Sequence, residues 1–230
     1  MIGTDDKRVK LAFYDMDRTV TVRGTYTPFL LHVAKAMAPW RLVLVPFVLL
    51  AMLAYVLRLI SRKRLKEINQ HLMIGGKVRR ARLAPYIESY ADAVMAHNVH
   101  AEALDRIARD RAEGYRLVLA TASYRLYVEA IARRAGFDDV IATDHLGQDM
   151  DYVRAKIAGE NCYDVAKLMM IREWMAREGI ERSHAYIRAY SDHVSDAPML
   201  EFADEAYATN PHPPLAELAR EKAWTRFDWK

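Results

Sequence analysis

The apolar run Leu11-Ala12-Phe13-Tyr14 ends abruptly in Asp15-Met16-Asp17-Arg18-Thr19. Such a run reads as a buried strand, and two carboxylates one residue apart at its end constrain the chain more than any other feature. A strand alternates faces, so an Asp-x-Asp pair within one points both carboxylates the same way at close range. Like charges that close raise a carboxyl pKa unless a cation lies between them. Mg²⁺ suits that place, because it prefers hard oxygen ligands. A surface loop carrying two acids is the bland alternative, so the pair must be weighed with the rest of the chain.

The hydrophobic pattern predicts a strand at 10–15 and a helical insert from about 26 to 100. A helix follows at about 101–113, ended by Glu113-Gly114-Tyr115, then a strand at 116–121. A helix at about 124–135 is closed by Gly136. Strands fit 139–143, 184–191 and 205–208, with helices at about 163–178 and 214–222. Strands alternating with helices imply an α/β fold with a parallel sheet covered on both faces. Ligands bind such sheets at the carboxyl ends of the strands. Asp15, Thr121 and Asp192 all fall at predicted strand ends, which supports one shared site without reference to any family.

Three more elements follow the opening motif in order. Leu117-Val118-Leu119-Ala120 ends in Thr121-Ala122-Ser123; Lys167 follows Asn161-Cys162-Tyr163 on a helix; and Tyr186-Ile187-Arg188-Ala189-Tyr190 leads into Ser191-Asp192-His193-Val194-Ser195-Asp196. The series resembles the haloacid dehalogenase superfamily of phosphohydrolases over residues 11–200. The helical insert and the Asn161-Cys162…Lys167 pattern look like its subfamily IB, the branch that includes phosphoserine phosphatase. The resemblance implies a Rossmann-like core from 1–25 and 101–230 with a helical cap at 26–100. It implies Asp15 as nucleophile and metal ligand, and Asp17 as general acid and base whose carbonyl is a second ligand. Thr121 and Lys167 would hold the phosphoryl group. Asp192 would complete the protein's share of a Mg²⁺ shell, with Asp196 supporting it directly or through water.

Each residue also has a plainer reading. Thr121 is an ordinary strand-end residue by itself, and Ser123 is close enough to take its place. Lys167 alone would be a solvated helix charge. Asp192 and Asp196 are good helix caps, Asp196 above all, since Ala197-Pro198 follows it. His193 and His145 are weaker catalytic candidates, and Cys162 reads as structural because no base accompanies it. Phosphoserine phosphatase carries a glutamate nine residues after its nucleophile to hold the substrate's amino group. Here Gly24 stands at that position and Arg23 before it, which disfavours an ammonium-bearing substrate. Arg18, Arg23 and Ser123 are the candidate substrate contacts.

Charge is unevenly placed. The chain is +4 overall, yet residues 58–82 hold nine basic residues and one acid, Glu67. That segment is +8, which leaves the remainder at −4. Such a local excess suits an anionic partner. It directly follows residues 42–57, sixteen residues without a charge. The stretch is short for a membrane span and holds Pro46. A single crossing there would also part Asp15 from Thr121, Lys167 and Asp192. Three places remain: a buried cap helix, a contact between copies in a homodimer, or an anionic membrane surface touched through 42–66. The last is a two-signal pattern, an apolar wedge beside a polybasic patch. Apolar cap and basic flank together resemble haloacid dehalogenase phosphatases that act on phosphatidylglycerophosphate.

The single cysteine excludes an intrachain disulfide and fits a reducing compartment. With a polar opening that does not read as a signal peptide, the expected location is the cytoplasm, and the membrane reading of 42–66 adds peripheral contact with the inner face of the cytoplasmic membrane. The expectation is a Mg²⁺-dependent phosphomonoesterase acting on a membrane phospholipid monoester. A soluble small-metabolite phosphatase is the enzymatic rival, and a non-catalytic module for anionic membranes is the rival of another class. Nucleic acid is not an expected partner, because the basic cluster interleaves few aromatics to stack bases.

Overall fold

The computed structural model describes residues 8–147 and 151–229. The chain's first seven residues, over which most of the signal-peptide reading ran, lie outside them.

Strand β1 (Val9–Tyr14) opens the fold. The insert follows as α1 (Tyr26–Met37), a 3₁₀ turn (Pro39–Leu44), α2 (Val45–Val56), α3 (Arg62–Met73), β2 (Lys77–Arg79) and α4 (Arg80–His97). Then come α5 (Ala101–Ala112), β3 (Arg116–Tyr124), α6 (Arg125–Ala135), β4 (Asp139–His145), β5 (Tyr152–Arg154), β6 (Ile157–Ala158) and α7 (Val165–Arg177). The chain finishes with β7 (Ala185–Ser191), α8 (Ala197–Phe202), β8 (Glu205–Thr209), α9 (Pro213–Glu221) and β9 (Thr225–Phe227).

Seven strands form one sheet in the order β6-β4-β3-β1-β7-β8-β9. Every pair is parallel except β4 with β6. Central parallel strands are buried on both faces and therefore read as continuous apolar runs, as Leu11 to Tyr14 do, each fully buried. β1 lies between β3 and β7, with Tyr14 level with Leu119 on one side and Tyr190 on the other. The three motif-bearing strand ends are thereby adjacent. Gly136, φ 87°, ends α6 in the left-handed conformation that an L side chain resists.

The predicted elements appear within a few residues of their expected bounds. The short strands β2, β5, β6 and β9 were not foreseen, because two or three residues carry no measurable period. β2 and β5 pair as an antiparallel ribbon, Val78 opposite Val153, which joins the insert to the loop after β4. Pro46 does not break residues 42–57 either. It sits in the first turn of α2, where its missing N–H costs nothing.

The burial of that stretch differs from the buried-helix expectation. Within α2 only Val48 and Ala51 are buried. Phe47, Leu49, Leu50, Met52, Leu53 and Val56 are all exposed, Val56 at 72%. The remainder of the insert packs conventionally: Phe29 of α1 stacks on Tyr127 of α6 at 4.3 Å, with Tyr90 of α4 against both.

Candidate active site

β1 delivers Asp15 to the carboxyl edge of the sheet, where its N–H still donates to the Tyr190 carbonyl at 2.9 Å. The chain then turns sharply. The Met16 carbonyl accepts from the N–H groups of Thr19, Val20 and Thr21, and Arg18 takes a left-handed φ of 68°. This turn corrects the picture of two carboxylates facing one way along a strand. Asp15 lies just past β1 and Asp17 within the turn, so the two side chains have different partners. Asp17 Oδ1 accepts from the Thr25 N–H and hydroxyl, both at 2.7 Å, and Oδ2 accepts from the Ser123 hydroxyl at 2.7 Å.

Asp15 Oδ1 accepts from Lys167 Nζ at 2.8 Å, and the same ammonium donates to Asp196 Oδ2 at 2.7 Å. Lys167 is thus a buried bridge between two carboxylates, on the first turn of α7. On the other side, the Thr19 hydroxyl lies 3.3 Å from Asp15 Oδ2 and 3.4 Å from Asp192 Oδ1. One hydroxyl within reach of both oxygens shows that the carboxylates of Asp15 and Asp192 converge. Asp196 stands at the N-cap of α8 but makes no capping bond with its side chain. Its Oδ2 instead accepts from Lys167 and from the Ser191 hydroxyl. Among the described residues its Oδ1 is buried without a hydrogen-bond partner.

These residues line a cavity of about 340 Å³ bordered by Asp15, Asp17, Arg18, Thr121, Lys167, Asp192 and Asp196. Its electrostatics are dominated by burial. The Asp15 carboxyl is pushed up to about 8 by desolvation, with Asp196 and Asp192 adding to the rise and Lys167 opposing it. Desolvation and then Asp196 push Asp192 up to about 6. The Lys167 ammonium is held above its ordinary value, because the attraction of Asp15 and Asp196 outweighs its own burial. Negative charge is in excess here, and one buried carboxylate oxygen is unpartnered. That donor set fits a hard divalent cation. Among the described residues no three His, Cys, Asp or Glu side chains form a ready-made cage.

Two of the expected substrate contacts fall elsewhere. Arg23 is exposed and not part of the cavity lining; its backbone N–H is tied to Asn98 Oδ1 at 2.9 Å. Ser123 is turned away to Asp17, and its N–H donates to Thr121 Oγ1 at 3.1 Å. Arg18 and Thr121 do reach the cavity. Gly24 lines it too, with nothing within 4 Å of where a Cβ would stand.

His145 lies outside the cavity lining. It is stacked on Tyr124 at 3.9 Å, bonded to Gln70, and pushed by burial down to about 3. His193 does border the cavity, stacked on His212 at 4.1 Å. Burial drives the Cys162 thiol up to about 12, as expected of a packing residue.

The sequence reading missed what the insert contributes. Arg62, at the start of α3, lines the cavity and lies 4.0 Å over the Tyr163 ring, which lines it as well. Lys66, one turn on, is buried and donates to the Ala122 carbonyl and to Asn161 Oδ1 at 2.6 Å. Desolvation and the nearby Arg62 lower its pKa to about 7. Both residues were counted in the basic cluster, but counting charges does not show that two of them turn inward.

The profile of the haloacid dehalogenase-like hydrolases matches residues 12–201. A probable phosphatase of Mycobacterium tuberculosis is 29% identical over 229 residues, covering 96% of this chain and 76% of that protein. A protein of unknown function from Bordetella pertussis superposes with a TM-score of 0.85 at 25% identity, over 96% of this chain and 99% of that one. A phosphoserine phosphatase captured as a phospho-aspartyl intermediate analogue shares the fold with a TM-score of 0.62 at 18% identity, over 96% of this chain and 94% of that one. With the strand-end carboxylates and the buried lysine in place, the chain belongs to the haloacid dehalogenase-like hydrolases.

Proposed function

We propose that the protein is a Mg²⁺-dependent phosphomonoesterase of the phosphoserine-phosphatase-like branch, subfamily IB, working through an aspartyl-phosphate on Asp15. The observation that carries this reading is the buried Lys167 bridge between Asp15 and Asp196, with Asp192 brought beside Asp15 at the Thr19 hydroxyl. Asp15, the Asp17 carbonyl and Asp192 would hold the cation, with Asp196 supporting it. When bound, the cation would neutralise charge on the phosphoryl group and on Asp15.

The chain's own residues divide the remaining work. Asp15 attacks phosphorus, and its oxygen displaces the alkoxide of the ester. Asp17 gives that alkoxide a proton, then takes one from the water that hydrolyses the intermediate. The three donors from Thr25 and Ser123 fix the Asp17 carboxyl for both transfers. Lys167, a compact and fully buried charge, restrains Asp15 and meets the phosphoryl oxygens, as does the Thr121 hydroxyl. The insert over 26–100 acts as a cap on a core of 1–25 and 101–230, and its Arg62 closes the cavity with a cation.

For the substrate we infer a phospholipid monoester such as phosphatidylglycerophosphate, met at the inner face of the cytoplasmic membrane. With Gly24 in the lining, no carboxylate stands at that position to hold an ammonium group, and Arg62 favours a second anion. A cavity of about 340 Å³ admits a headgroup rather than acyl chains. Asp15→Asn tests the chemistry: turnover of p-nitrophenyl phosphate should fall at least about a thousandfold with the fold intact. Activity near wild type would reject Asp15 as the nucleophile. Assaying phosphatidylglycerophosphate in mixed micelles beside soluble phosphate esters tests the substrate, and a preference for a soluble ester would assign a metabolite role instead.

A further inference from the structure

Residues Pro39–Val56 are the one helical window among the described residues long and apolar enough to cross a membrane, yet only 11% of it is buried. A core helix of that composition would be enclosed. In α2 the exposed side chains Phe47, Leu49, Leu50, Met52, Leu53 and Val56, at about 100° per residue, cover more than half the helix circumference. Val43, Leu57 and Leu59 extend the patch at both ends, Leu59 at 73% exposure. Patches of this extent mark an interaction surface.

The geometry excludes a span. The helices on either side, α1 and α3, pack on one another, so the chain enters and leaves on one side. What remains is a helical wedge standing out from the insert.

Its rim has the charge of a membrane-binding surface. Arg58, Arg62 and Lys63 have no carboxylate partner among the described residues: Arg62 stacks on Tyr163, and Lys63 donates to the Gly159 carbonyl. Only Arg64 meets an acid, Glu67 at 3.3 Å. Trp40, 60% exposed, stands at the opposite end with the Arg41 guanidinium over its ring. Aromatic and basic residues flanking an apolar segment are what a headgroup layer accepts.

We propose that α2 and its basic rim are a docking surface for an anionic lipid bilayer, with the helix sunk into one leaflet and Arg58 and Lys63 at headgroup level. A second copy of the chain is the weaker occupant for two reasons. A two-fold contact would bring the same unpaired cations together, and a protein partner covers one face of a helix whereas hydrocarbon surrounds it. The placement also matters for catalysis. Leu59 is in the patch and Arg62, three residues on, lines the cavity, so docking sets the mouth of the cavity against the headgroups. The surface stands on its own observations and does not require the lipid-substrate reading.

Flotation of the full chain with vesicles is the test. The wild type should float with phosphatidylglycerol–phosphatidylcholine vesicles at low salt, and much less with phosphatidylcholine alone or at high salt. Leu49→Glu with Leu53→Glu should cut binding at least about tenfold, with p-nitrophenyl phosphate turnover unchanged. If that variant fails to fold, quenching of the wild type by brominated phosphatidylglycerol, lost in Trp40→Phe, reads the same contact. Asp15→Asn should float as the wild type does, so failure of the chemistry and failure of the surface are separable. Absence of flotation and quenching would overturn the proposal. A dimer in sedimentation that the Leu49→Glu, Leu53→Glu variant dissolves, with no vesicle binding, would assign the face to a second copy.

Discussion

At Asp15, burial and charge pull in opposite directions. Desolvation together with Asp196 and Asp192 raises its carboxyl to about 8, although Lys167 lies 2.8 Å away. Asp192 is raised to about 6 for the same main reason. For a carboxyl raised in the folded state, the stabilising contribution is complete below its unfolded value near 3.8 and is lost as pH climbs through the folded value. The metal-free protein should therefore lose thermal stability between about pH 4 and 8. Mg²⁺ should remove most of that decline, because a bound cation offsets the charge that burial penalises. Melting temperatures across this range in EDTA and in excess Mg²⁺ measure it, and identical slopes in both would count against a cation between these carboxylates. The motif residues were legible from the chain because the chemistry demands those residue types at strand ends. Thr19 was part of the opening motif, but that its hydroxyl would lie between Asp15 and Asp192 was not legible, since Asp192 is 173 residues away in the chain. The same holds for the turn that sends Asp17 to Thr25 and Ser123.

Among the elements, the sheet is tied together behind the site by a buried acid. Asp110 of α5 is fully buried and accepts from Tyr14 at 2.6 Å, Tyr190 at 2.8 Å and Arg188 at 2.7 Å, with Arg106 at 3.1 Å. The rings of Tyr14, Tyr190, Tyr207 and Phe227 stack in succession from β1 to β9, at 4.1, 4.6 and 5.2 Å. This ladder fixes β1 beside β7, and so Asp15 beside Asp192. Asp110→Ala leaves two guanidinium groups and two phenols short of their acceptor, and should cost about 3–5 kcal/mol of unfolding free energy. Urea denaturation reads it; a loss below about 1 kcal/mol would show that water replaces the carboxylate. The alternation of strands and helices announced the sheet. Asp110 itself looked like any helix acid, because three of its four partners lie 78 to 96 residues away in the chain.

Across the whole molecule, the cavity is shared between the core and the insert. Asp15, Thr121 and Asp192 come from the sheet, and Arg62 comes from α3. The Lys66 bonds to Ala122 and Asn161 and the β2–β5 ribbon hold the insert onto the core. Arg62→Ala should raise KM for a phosphate ester that bears a second anion by about 10- to 100-fold, the worth of one charge-assisted hydrogen bond. Its effect on p-nitrophenyl phosphate, which has no second anion, should be several-fold smaller. Equal effects on the two substrates would make Arg62 a general phosphate contact.

The chain's order of residues by itself determined the α/β core, the four motif elements and the helical nature of the insert. Each of these rests on local periodicity or on chemistry that tolerates few residue types. Only the tertiary structure decided which cations turn inward, that Arg23 and Ser123 do not line the cavity, and that the apolar helix α2 faces outward. Composition gives a helix its preference for apolar surroundings, but whether protein supplies those surroundings depends on what distant segments leave uncovered. Here α3 and the 3₁₀ turn are what pack on α2, and they leave only Val48 and Ala51 of it buried.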